Sequence, residues 1–292
     1  MSKLDYTKLG ATLFVPASHL QLHAIVNEEK YKDLKSLVID FEDGLDVKLL
    51  DLAMKNLENI LKNINQKSPL IFLRARDTNH LKHLLTFPYI NNITGFVLAK
   101  FSLKNAQEYL TLLQNSTHLL MPSIEGEELF NHTLLHQLKE VIITNKQKVV
   151  LVRFGLEDML KYLGMRRKCS ESLFDLSAPC VVIGNLIATF KSAGFAVSGG
   201  VYPCFKDVEG FIKDVKRDLQ EGLFSKTIIH PSQIALTHEL YKVSQTEYAE
   251  AVEIVNSKKV LFAQNEKMAE VTTMKEYSQE IVLRANIYGI KV

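Results

Sequence analysis

The 292-residue sequence predicts an α/β protein with the (β/α)8 architecture of a TIM barrel. Three observations support this fold class. Eight short runs are apolar at consecutive positions, as expected of strands that are buried on both faces of a parallel sheet. Segments with helical spacing separate most of these runs. The eight units span about 230 residues, which is close to the length of such a barrel.

The predicted strands follow one plan, in which an apolar run ends at a turn residue or an ionisable residue. The first run closes at Pro16, and Gly44, Gly126 and Gly155 mark turns after three others. The strands are predicted over residues 12–15, 36–41, 70–74, 95–100, 119–126, 149–154, 195–200 and 226–231.

The segments between the strands carry apolar residues at the three- and four-residue spacing of amphipathic helices. Ser18 is suited to cap a helix that begins near His19. Pro179 and Gly184 are expected to break or kink the longest segment. Further helices are predicted over residues 46–64, 103–113, 129–138, 173–193 and 208–219.

A doubly wound open sheet is the main alternative, because strand counts taken from one sequence are uncertain. That fold favours a glycine-rich phosphate loop after its first strand. Here Pro16, Ala17 and Ser18 follow instead, and neither GxGxxG nor GxxxxGK[ST] occurs in the sequence. The pattern therefore favours the barrel.

Two parts are predicted along the chain. The barrel domain is assigned to residues 10–240, and residues 241–292 are assigned to a C-terminal helical extension. Within the extension, residues 245–264 are charged and have helical spacing. Because this part lies outside the eight units, we expect it to form an oligomer contact or a lid.

The composition excludes several classes of protein. A formal net charge of +2 gives no electrostatic reason to bind nucleic acid. Apolar runs are all shorter than the roughly 20 residues of a membrane span, and residues 1–10 lack the apolar core of a signal peptide. The three cysteines are too few and too scattered to indicate a disulfide framework. We therefore expect a cytoplasmic protein.

Ionisable residues follow many of the predicted strands. In a parallel barrel these strand ends meet at one rim, where active sites are built. The alternative is that charges collect there because solvent begins at the ends of strands. The residues are Asp40, Glu42, Asp43, Arg74, Arg76, Lys100, Glu125, Arg153, Glu157, Asp158 and His230.

Glu125 and Asp158 are the predicted metal ligands. Carboxylate oxygens without a cluster of histidine or cysteine favour Mg²⁺. Arg74 is suited to clamp a substrate carboxylate with two parallel hydrogen bonds, so that metal and arginine would together stabilise an enolate. The structural alternative for Arg74 is a salt bridge with Asp40 or Glu42.

Histidine and cysteine residues each have a structural interpretation as well as a functional one. His230 titrates near neutrality and is a candidate general base, although an ordering role in the loop with Pro231 is favoured. Cys204 is expected to be a buried or inert thiol. No HExxH pattern occurs among the nine histidines, which disfavours a zinc site.

Several motifs together resemble the citrate lyase β-subunit-like (HpcH/HpaI aldolase) family. The resemblance extends from about Leu13 to Tyr248. It implies a TIM barrel that uses Mg²⁺ to cleave or form C–C bonds in 2- or 3-hydroxy acids and their CoA thioesters. The matching stretches are LFVPAS at 13–18, VIDFEDG at 38–44, LR at 73–74, MPSIE at 121–125, FGLED at 154–158 and IHPSQ at 229–233.

The resemblance also implies roles for individual residues. Glu125 and Asp158 resemble the metal ligands, Arg74 resembles the substrate arginine, and we assign Lys100 and Gly155 to substrate binding as well. Asp207 resembles an aspartate at the barrel's edge that reaches a neighbouring subunit's site, and Asp40, Glu42 and Asp43 match the family's acidic cluster. A homo-oligomer, a trimer or larger, is expected.

Departures from the family pattern indicate a divergent member. The first strand has no arginine, the usual glycine after Pro16 is Ala17, and the usual proline and acid around Lys100 are absent. The predicted function is a Mg²⁺-dependent carbon–carbon lyase or aldolase that uses a metal-stabilised enolate. Its substrate is expected to be a small oxo or hydroxy acid, or a CoA thioester. The alternatives are a thioesterase or decarboxylase acting on a related acid, and an inactive barrel that serves as a binding or scaffold subunit.

Overall fold

The computed structural model describes residues 4–291. By its internal contacts the chain divides into two compact units, Met1–Ile234 and Ala235–Val292. The expectation about a signal peptide in residues 1–10 falls partly outside the described residues. No helix within residues 4–291 combines the length and the apolar composition that a membrane crossing requires.

Seven strands of the first unit form one parallel sheet in the order β6-β5-β4-β3-β2-β1-β7. The apolar runs form these strands because both of their faces are covered. Their bounds are β1 Thr12–Pro16, β2 Ser36–Asp40, β3 Leu70–Arg74, β4 Gly95–Leu98, β5 Leu119–Ile124, β6 Arg153–Phe154 and β7 Thr227–Ile228.

The remaining predicted strand, residues 195–200, closes the ring between β6 and β7. Val197 forms a parallel bridge with Val152, and Ser198 forms another with Phe224. Backbone hydrogen bonds from Val152 to Ala196 (2.8 Å) and from Phe224 to Val197 (3.1 Å) belong to the same contact. The eight predicted positions are therefore all present, and the prediction of a barrel is confirmed.

Helices connect the strands. The helices are α1 Leu22–Asn27, α2 Leu50–Leu61, α3 Thr78–Leu84, α4 Ala106–Leu113, α5 His132–Ile143, α6 Leu156–Tyr162, α7 Ser177–Lys191, α8 Val208–Gln220, α9 Ser232–Tyr241, α10 Gln245–Asn256 and α11 Val271–Tyr288. Inward-facing apolar residues fill the barrel, and this packed core contains Leu9, Val38, Phe72, Val97, Met121, Val150 and Leu151.

The expected break at Pro179 and Gly184 is wrong. A short 3-10 helix, Leu173–Asp175, is followed by extended backbone at Leu176, and α7 then continues without interruption. Pro179 lies in the first turn of α7, where its missing N–H removes no helical hydrogen bond.

The second unit is only partly helical. The helix predicted over residues 245–264 ends at Asn256, and an antiparallel hairpin of β9 Leu261–Gln264 and β10 Lys267–Glu270 follows. Asn265 and Glu266 both have positive φ angles, of 46° and 62°, which suits the two-residue turn of a hairpin. Two short strands, β8 Val243–Ser244 and β11 Ile290–Lys291, pair in parallel. The domain boundary at residues 240 and 241 stays a prediction.

A disulfide bond corrects the expectation about the cysteines. Cys169 and Cys204 are bonded, with their Cα atoms 5.8 Å apart, while Cys180 is free. The bond joins the segment after α6 to the segment before α8. Arg167 strengthens this connection by donating to the carbonyl of Val201 at 2.7 Å and to Asp214 at 2.8 Å. The expectation that Cys204 is an inert thiol is therefore wrong.

We expect reduction of this disulfide to lower the thermal stability of the protein. Closing a loop between positions 35 residues apart removes chain entropy from the unfolded state, a contribution of up to about 4 kcal/mol. Cys204→Ser should lower the melting temperature, whereas Cys180→Ser should leave it unchanged. Thiol titration of the denatured, unreduced protein should find one thiol per chain; three thiols would contradict the pairing.

Candidate active site

A cavity of about 640 Å³ opens at the carboxyl ends of the barrel strands. Residues from strands β1 to β7 and from the loops after them line it, as expected for this fold. The polar lining consists of Asp40, Asp43, Arg74, Ser123, Glu125, Arg153, Glu157, Asp158, Lys161 and Thr227, and the apolar lining includes Phe14, Val97, Phe154, Val201 and Ile229.

Three carboxylates meet in this cavity. One oxygen each from Asp43, Glu125 and Asp158 lies within 4.8 Å of the others. Glu125 follows β5 directly, Asp158 lies in the first turn of α6, and Asp43 follows β2. The predicted ligand pair is therefore brought together, and Asp43 joins it as a third carboxylate. Such a set of hard oxygen donors suits Mg²⁺.

Glu125 has the chemistry of a cation ligand. Its side chain is buried, and its Oε1 atom accepts a 2.5 Å hydrogen bond from the Ser123 hydroxyl. Its Oε2 atom is also buried but has no hydrogen-bond partner among residues 4–291. Burial raises the pKa of Glu125 to about 7. A bound cation would satisfy Oε2 and stabilise the ionised carboxylate.

Gly155 makes the approach of Glu125 possible. A Cβ atom at this position would lie 2.5 Å from Cγ of Glu125, which is closer than any real contact. The backbone at Gly155 is ordinary, with φ of −83°, so the requirement for glycine comes from space. Its N–H also donates to the carbonyl of Ile124 at 3.0 Å. The glycine assigned to substrate binding thus shapes the pocket of Glu125.

Arg74 lines the cavity and is held by acids of its own chain. Its Nε and Nη2 atoms donate to the two oxygens of Asp40, both at 2.7 Å. The residues are register partners on β2 and β3, which explains the fork-to-fork geometry. Nη1 lies 3.2 Å from both Glu42 and Asp43. The structural alternative, a salt bridge of Arg74 with Asp40 or Glu42, is therefore present. Arg74 also lines the cavity.

Lys100 belongs to the same charged cluster, at its exposed side. The Lys100 ammonium group donates to Glu42 and also to Asp43, the latter at 3.3 Å. Neither Lys100 nor Glu42 is among the residues found to line the cavity. The contacts of Lys100 hold the acidic loop after β2, and its ammonium group is directed to that loop rather than to the cavity beside Glu125.

Asp207 is not brought together with the other predicted residues. It caps α8, because its carboxylate accepts hydrogen bonds from the N–H of Gly210 at 3.0 Å and from the Tyr202 hydroxyl at 2.6 Å. These hydrogen bonds, that of Tyr202 first, lower the pKa of Asp207. Its assigned catalytic role stays a prediction.

His230 has the contacts of a loop-ordering residue. Its Nδ1 atom lies 2.8 Å from the Ser232 hydroxyl, and its ring stacks on Phe205. The side chain of Gln233 accepts from the backbone of His230 at 3.2 Å and donates to the carbonyl of Tyr202 at 3.0 Å. This supports the favoured interpretation of the IHPSQ motif.

Sequence reasoning missed several side chains of the cavity. Ser123 lies on β5 two residues before Glu125, a spacing that places both side chains on the same face of extended backbone. Arg153 was noted only as a charge near a strand end, yet its side chain lies inside the barrel. Phe14, Lys161 and Thr227 carried no recognisable pattern.

Comparisons with known proteins agree with this geometry. A family model for C–C bond lyases of the TIM-barrel fold matches residues 3–290. Citrate lyase subunit beta of Haemophilus influenzae is 24% identical over 253 residues, which cover 84% of each protein. A (3S)-malyl-CoA thioesterase of Cereibacter sphaeroides is 27% identical over 113 residues, or 39% of this chain and 36% of that protein.

A solved structure shares the fold. It is the protein CitE from Mycobacterium tuberculosis in complex with magnesium, acetoacetate and coenzyme A. It superimposes with a TM-score of 0.71 at 18% sequence identity, covering 96% of this chain and 99% of that chain.

The raised pKa of Glu125 predicts a pH-dependent stability without added metal. The proton on Glu125 stabilises the folded state fully below the ordinary pKa of 4.5, and this contribution is lost as the pH rises through about 7. In EDTA at pH 8, Glu125→Gln should therefore be more stable than the wild type, by at most about 3 kcal/mol. Melting temperatures should converge as the pH falls to 4; a constant difference would contradict the shift.

Gly155→Ala should weaken Mg²⁺ binding, because the added methyl group displaces Glu125. We expect affinity to fall roughly tenfold to a hundredfold, as for other changes that reorient a metal ligand. Isothermal titration calorimetry measures the affinity. Gly184→Ala makes the same chemical change in α7, where a Cβ meets nothing within 4 Å, and it should bind Mg²⁺ as the wild type does. Equal affinity in the two variants would contradict the packing argument.

Proposed function

Since the chain belongs to the C–C bond lyases of the TIM-barrel fold, we propose that its cavity performs this chemistry on a small oxo or hydroxy acid or its CoA thioester. The family predicted from the sequence motifs is confirmed, and the chain belongs to a family of carbon–carbon bond lyases. We propose that its reaction depends on Mg²⁺. The meeting of Asp43, Glu125 and Asp158 in one cavity is the observation that carries the assignment to this site.

Glu125 and Asp158 are proposed to hold the magnesium ion, with Asp43 as a third oxygen donor. The partnerless Oε2 atom of Glu125 and the close approach of the three carboxylates support this set. When bound, Mg²⁺ supplies a Lewis acid that favours negative charge on a carbonyl oxygen. Ser123 orients Glu125 through its 2.5 Å hydrogen bond, and Gly155 leaves the space that Glu125 needs.

The bond-breaking step moves electrons toward the carbonyl oxygen. In the cleavage direction the substrate hydroxyl loses its proton to a carboxylate, the C–C bond breaks, and its electron pair passes to the neighbouring carbonyl group. The former hydroxyl carbon leaves as an aldehyde or ketone. Asp40, Glu42 and Asp43 are the proposed acid–base cluster, and Asp40 and Asp43 face the cavity.

Arg74 is proposed to orient the substrate from the wall of the cavity. Its two 2.7 Å hydrogen bonds to Asp40 fix the guanidinium plane, so the group is pre-organised before substrate arrives. Lys100 contributes by holding Glu42 and Asp43 rather than by direct contact. Gly155 acts through the position of Glu125.

Two further proposals concern the assembly and location of the protein. We propose a cytoplasmic homo-oligomer, a trimer or larger, in which Asp207 acts at the site of a neighbouring subunit. The proposal for Asp207 rests on its resemblance to the family's aspartate at the barrel's edge; within its own subunit the carboxylate caps α8.

Removal of the ligands should abolish metal binding and turnover together. Asp158→Ala and Glu125→Gln should lose measurable Mg²⁺ affinity by calorimetry while keeping the circular dichroism spectrum of the wild type. Glu127→Gln is the matched control, because Glu127 follows the same strand but is 59% exposed and pairs with Lys104 outside the cavity. Unchanged metal affinity in Asp158→Ala would remove the central claim.

Product analysis separates the candidate activities. A panel of hydroxy acids and their CoA thioesters is incubated with the Mg²⁺-loaded protein, and carbonyl products and free thiol are measured. A carbon–carbon lyase releases a carbonyl compound and retains the thioester, whereas a thioesterase releases the thiol of CoA. Among the alternatives to a lyase, the partial similarity to a malyl-CoA thioesterase favours a thioesterase over a decarboxylase or a binding subunit. Metal binding without any product would favour a binding subunit.

A further inference from the structure

The disulfide bond between Cys169 and Cys204 joins two segments that continue from the wall of the cavity. Cys169 lies in the irregular segment that follows α6, and α6 brings Asp158 into the cavity. Cys204 directly follows Pro203, which lines the same cavity. The covalent bond therefore connects two parts of the cavity wall, one of which carries a proposed metal ligand.

The bond is accessible to solvent. Cys169 is exposed, and Cys204 is half-buried. Exposed disulfides are in general reduced more easily than buried ones, and labile or regulatory bonds belong to this exposed class. In a reducing cytoplasm, the compartment proposed above, persistent structural disulfides are rare. The bond between Cys169 and Cys204 therefore has the environment of a reversible disulfide.

The sequence around Cys169 is rich in positive charge. Residues 166–171 read RRKCSE, which places three basic residues directly before the cysteine and one acid after it. Thiol–disulfide exchange proceeds through thiolates, and basic neighbours favour the thiolate form of a cysteine. The same charges attract the anionic thiolate of a reductant to the exposed sulfur. The local sequence therefore favours exchange at Cys169.

Non-covalent contacts hold the same two segments together independently of the bond. Arg167 donates to the carbonyl of Val201 at 2.7 Å, and its guanidinium carbon lies 4.9 Å from the centre of the Tyr202 ring. The N–H of Ser170 donates to the Tyr202 hydroxyl at 2.8 Å. Reduction therefore leaves the segments in contact, and the folded protein has two covalent states that differ in how firmly this wall is held.

We propose that Cys169 and Cys204 form a reversible redox site that controls the active-site cavity. The disulfide form holds α6, with Asp158, and the loop at Pro203 in place. The dithiol form lets both parts of the wall move, which weakens binding in the cavity. The effect on binding rests on the proposed function, whereas the redox chemistry of the two cysteines is independent of it.

The reductant is a dithiol, either a small molecule or a protein. Its first thiolate attacks the exposed sulfur of Cys169, the S–S bond breaks, and Cys204 leaves as a thiolate. The second thiolate of the reductant attacks the mixed disulfide and releases Cys169. Two electrons and two protons pass in total from the dithiol to the two cysteines, and the reductant becomes a disulfide. Oxidation by a disulfide compound reverses these steps.

Reduction of the folded, full-length chain tests the chemistry. The protein is treated with dithiothreitol, and alkylation with iodoacetamide followed by mass spectrometry identifies the reactive thiols. We expect Cys169 and Cys204 to become alkylated while circular dichroism still shows a folded protein, and oxidised glutathione to restore the bond in an unalkylated sample. A bond that is reduced only after the protein unfolds would overturn the proposal.

Hydrogen exchange tests whether the cavity wall responds to the bond. Amides of α6 and of residues 201–204 should exchange roughly fivefold faster or more in the dithiol form, because local opening of this wall becomes easier. Amides of α2, which contributes no residue to the described cavity lining, should exchange at the same rate in both forms. Equal exchange of α6 in the two forms would overturn the proposal.

Serine variants separate the bond from other effects of the reductant. The double variant Cys169→Ser with Cys204→Ser should show the exchange pattern of the reduced wild type, with and without dithiothreitol. Cys180→Ser is the matched control, because it removes the free thiol and keeps the bond, so it should respond to dithiothreitol as the wild type does. The exchange pattern of the oxidised wild type in the folded double variant would contradict the inference.

Binding measurements connect the redox site with the cavity. After removal of the reductant, calorimetric titration should give a Mg²⁺ affinity roughly fivefold lower for the dithiol form than for the disulfide form, the lower end of the usual coupling between two sites. Equal affinities of the two forms would overturn control of the cavity by the bond. Absence of Mg²⁺ binding in both forms would overturn the proposed function, and the thiol and hydrogen-exchange measurements would still decide the redox site.

Discussion

The approach of three carboxylates at the ends of the strands is the interaction on which the site depends. Asp43, Glu125 and Asp158 come within 4.8 Å of one another, and like charges at this distance repel. The barrel imposes the contact, because its parallel strands end at one rim and the hydrogen-bonded backbone fixes where each acid stands. At Glu125 burial is the main cause that raises the pKa of the carboxyl group to about 7, and the charge of Asp158 adds to it.

Positively charged side chains at the same rim form ion pairs with the acidic loop after β2. Arg74 joins the end of β3 to Asp40 at the end of β2, and Lys100 after β4 reaches the same loop. These contacts make the acidic loop after β2 part of a fixed framework, so Asp43 is held beside the other two acids. Ion pairs with Arg74 and Lys100 thus help to hold Asp43 beside Glu125 and Asp158.

Features determined by short stretches of sequence were predictable, and those determined by distant contacts were not. The apolar runs predicted the strands. The carboxylates that follow two of these runs predicted Glu125 and Asp158 as site residues, because the direction of a parallel strand alone places its carboxyl end at the rim. The disulfide between Cys169 and Cys204 joins two loops whose approach depends on the complete barrel. Arg153 was missed because its strand belongs to a continuous apolar run, in which no alternation distinguishes the inner face from the outer one.

A purely structural barrel is hard to reconcile with the arrangement of polar groups. The Oε2 atom of Glu125 is buried without a partner among the described residues, and an apolar side chain in its place would stabilise the fold. A side chain at position 155 would collide with this carboxylate, so the position requires glycine. Arg153 is a buried charge in the interior of the barrel, where apolar residues are usual. Each departure is expected to lower the stability of the protein without a ligand. Such departures concentrate where binding, rather than folding, determines the residue.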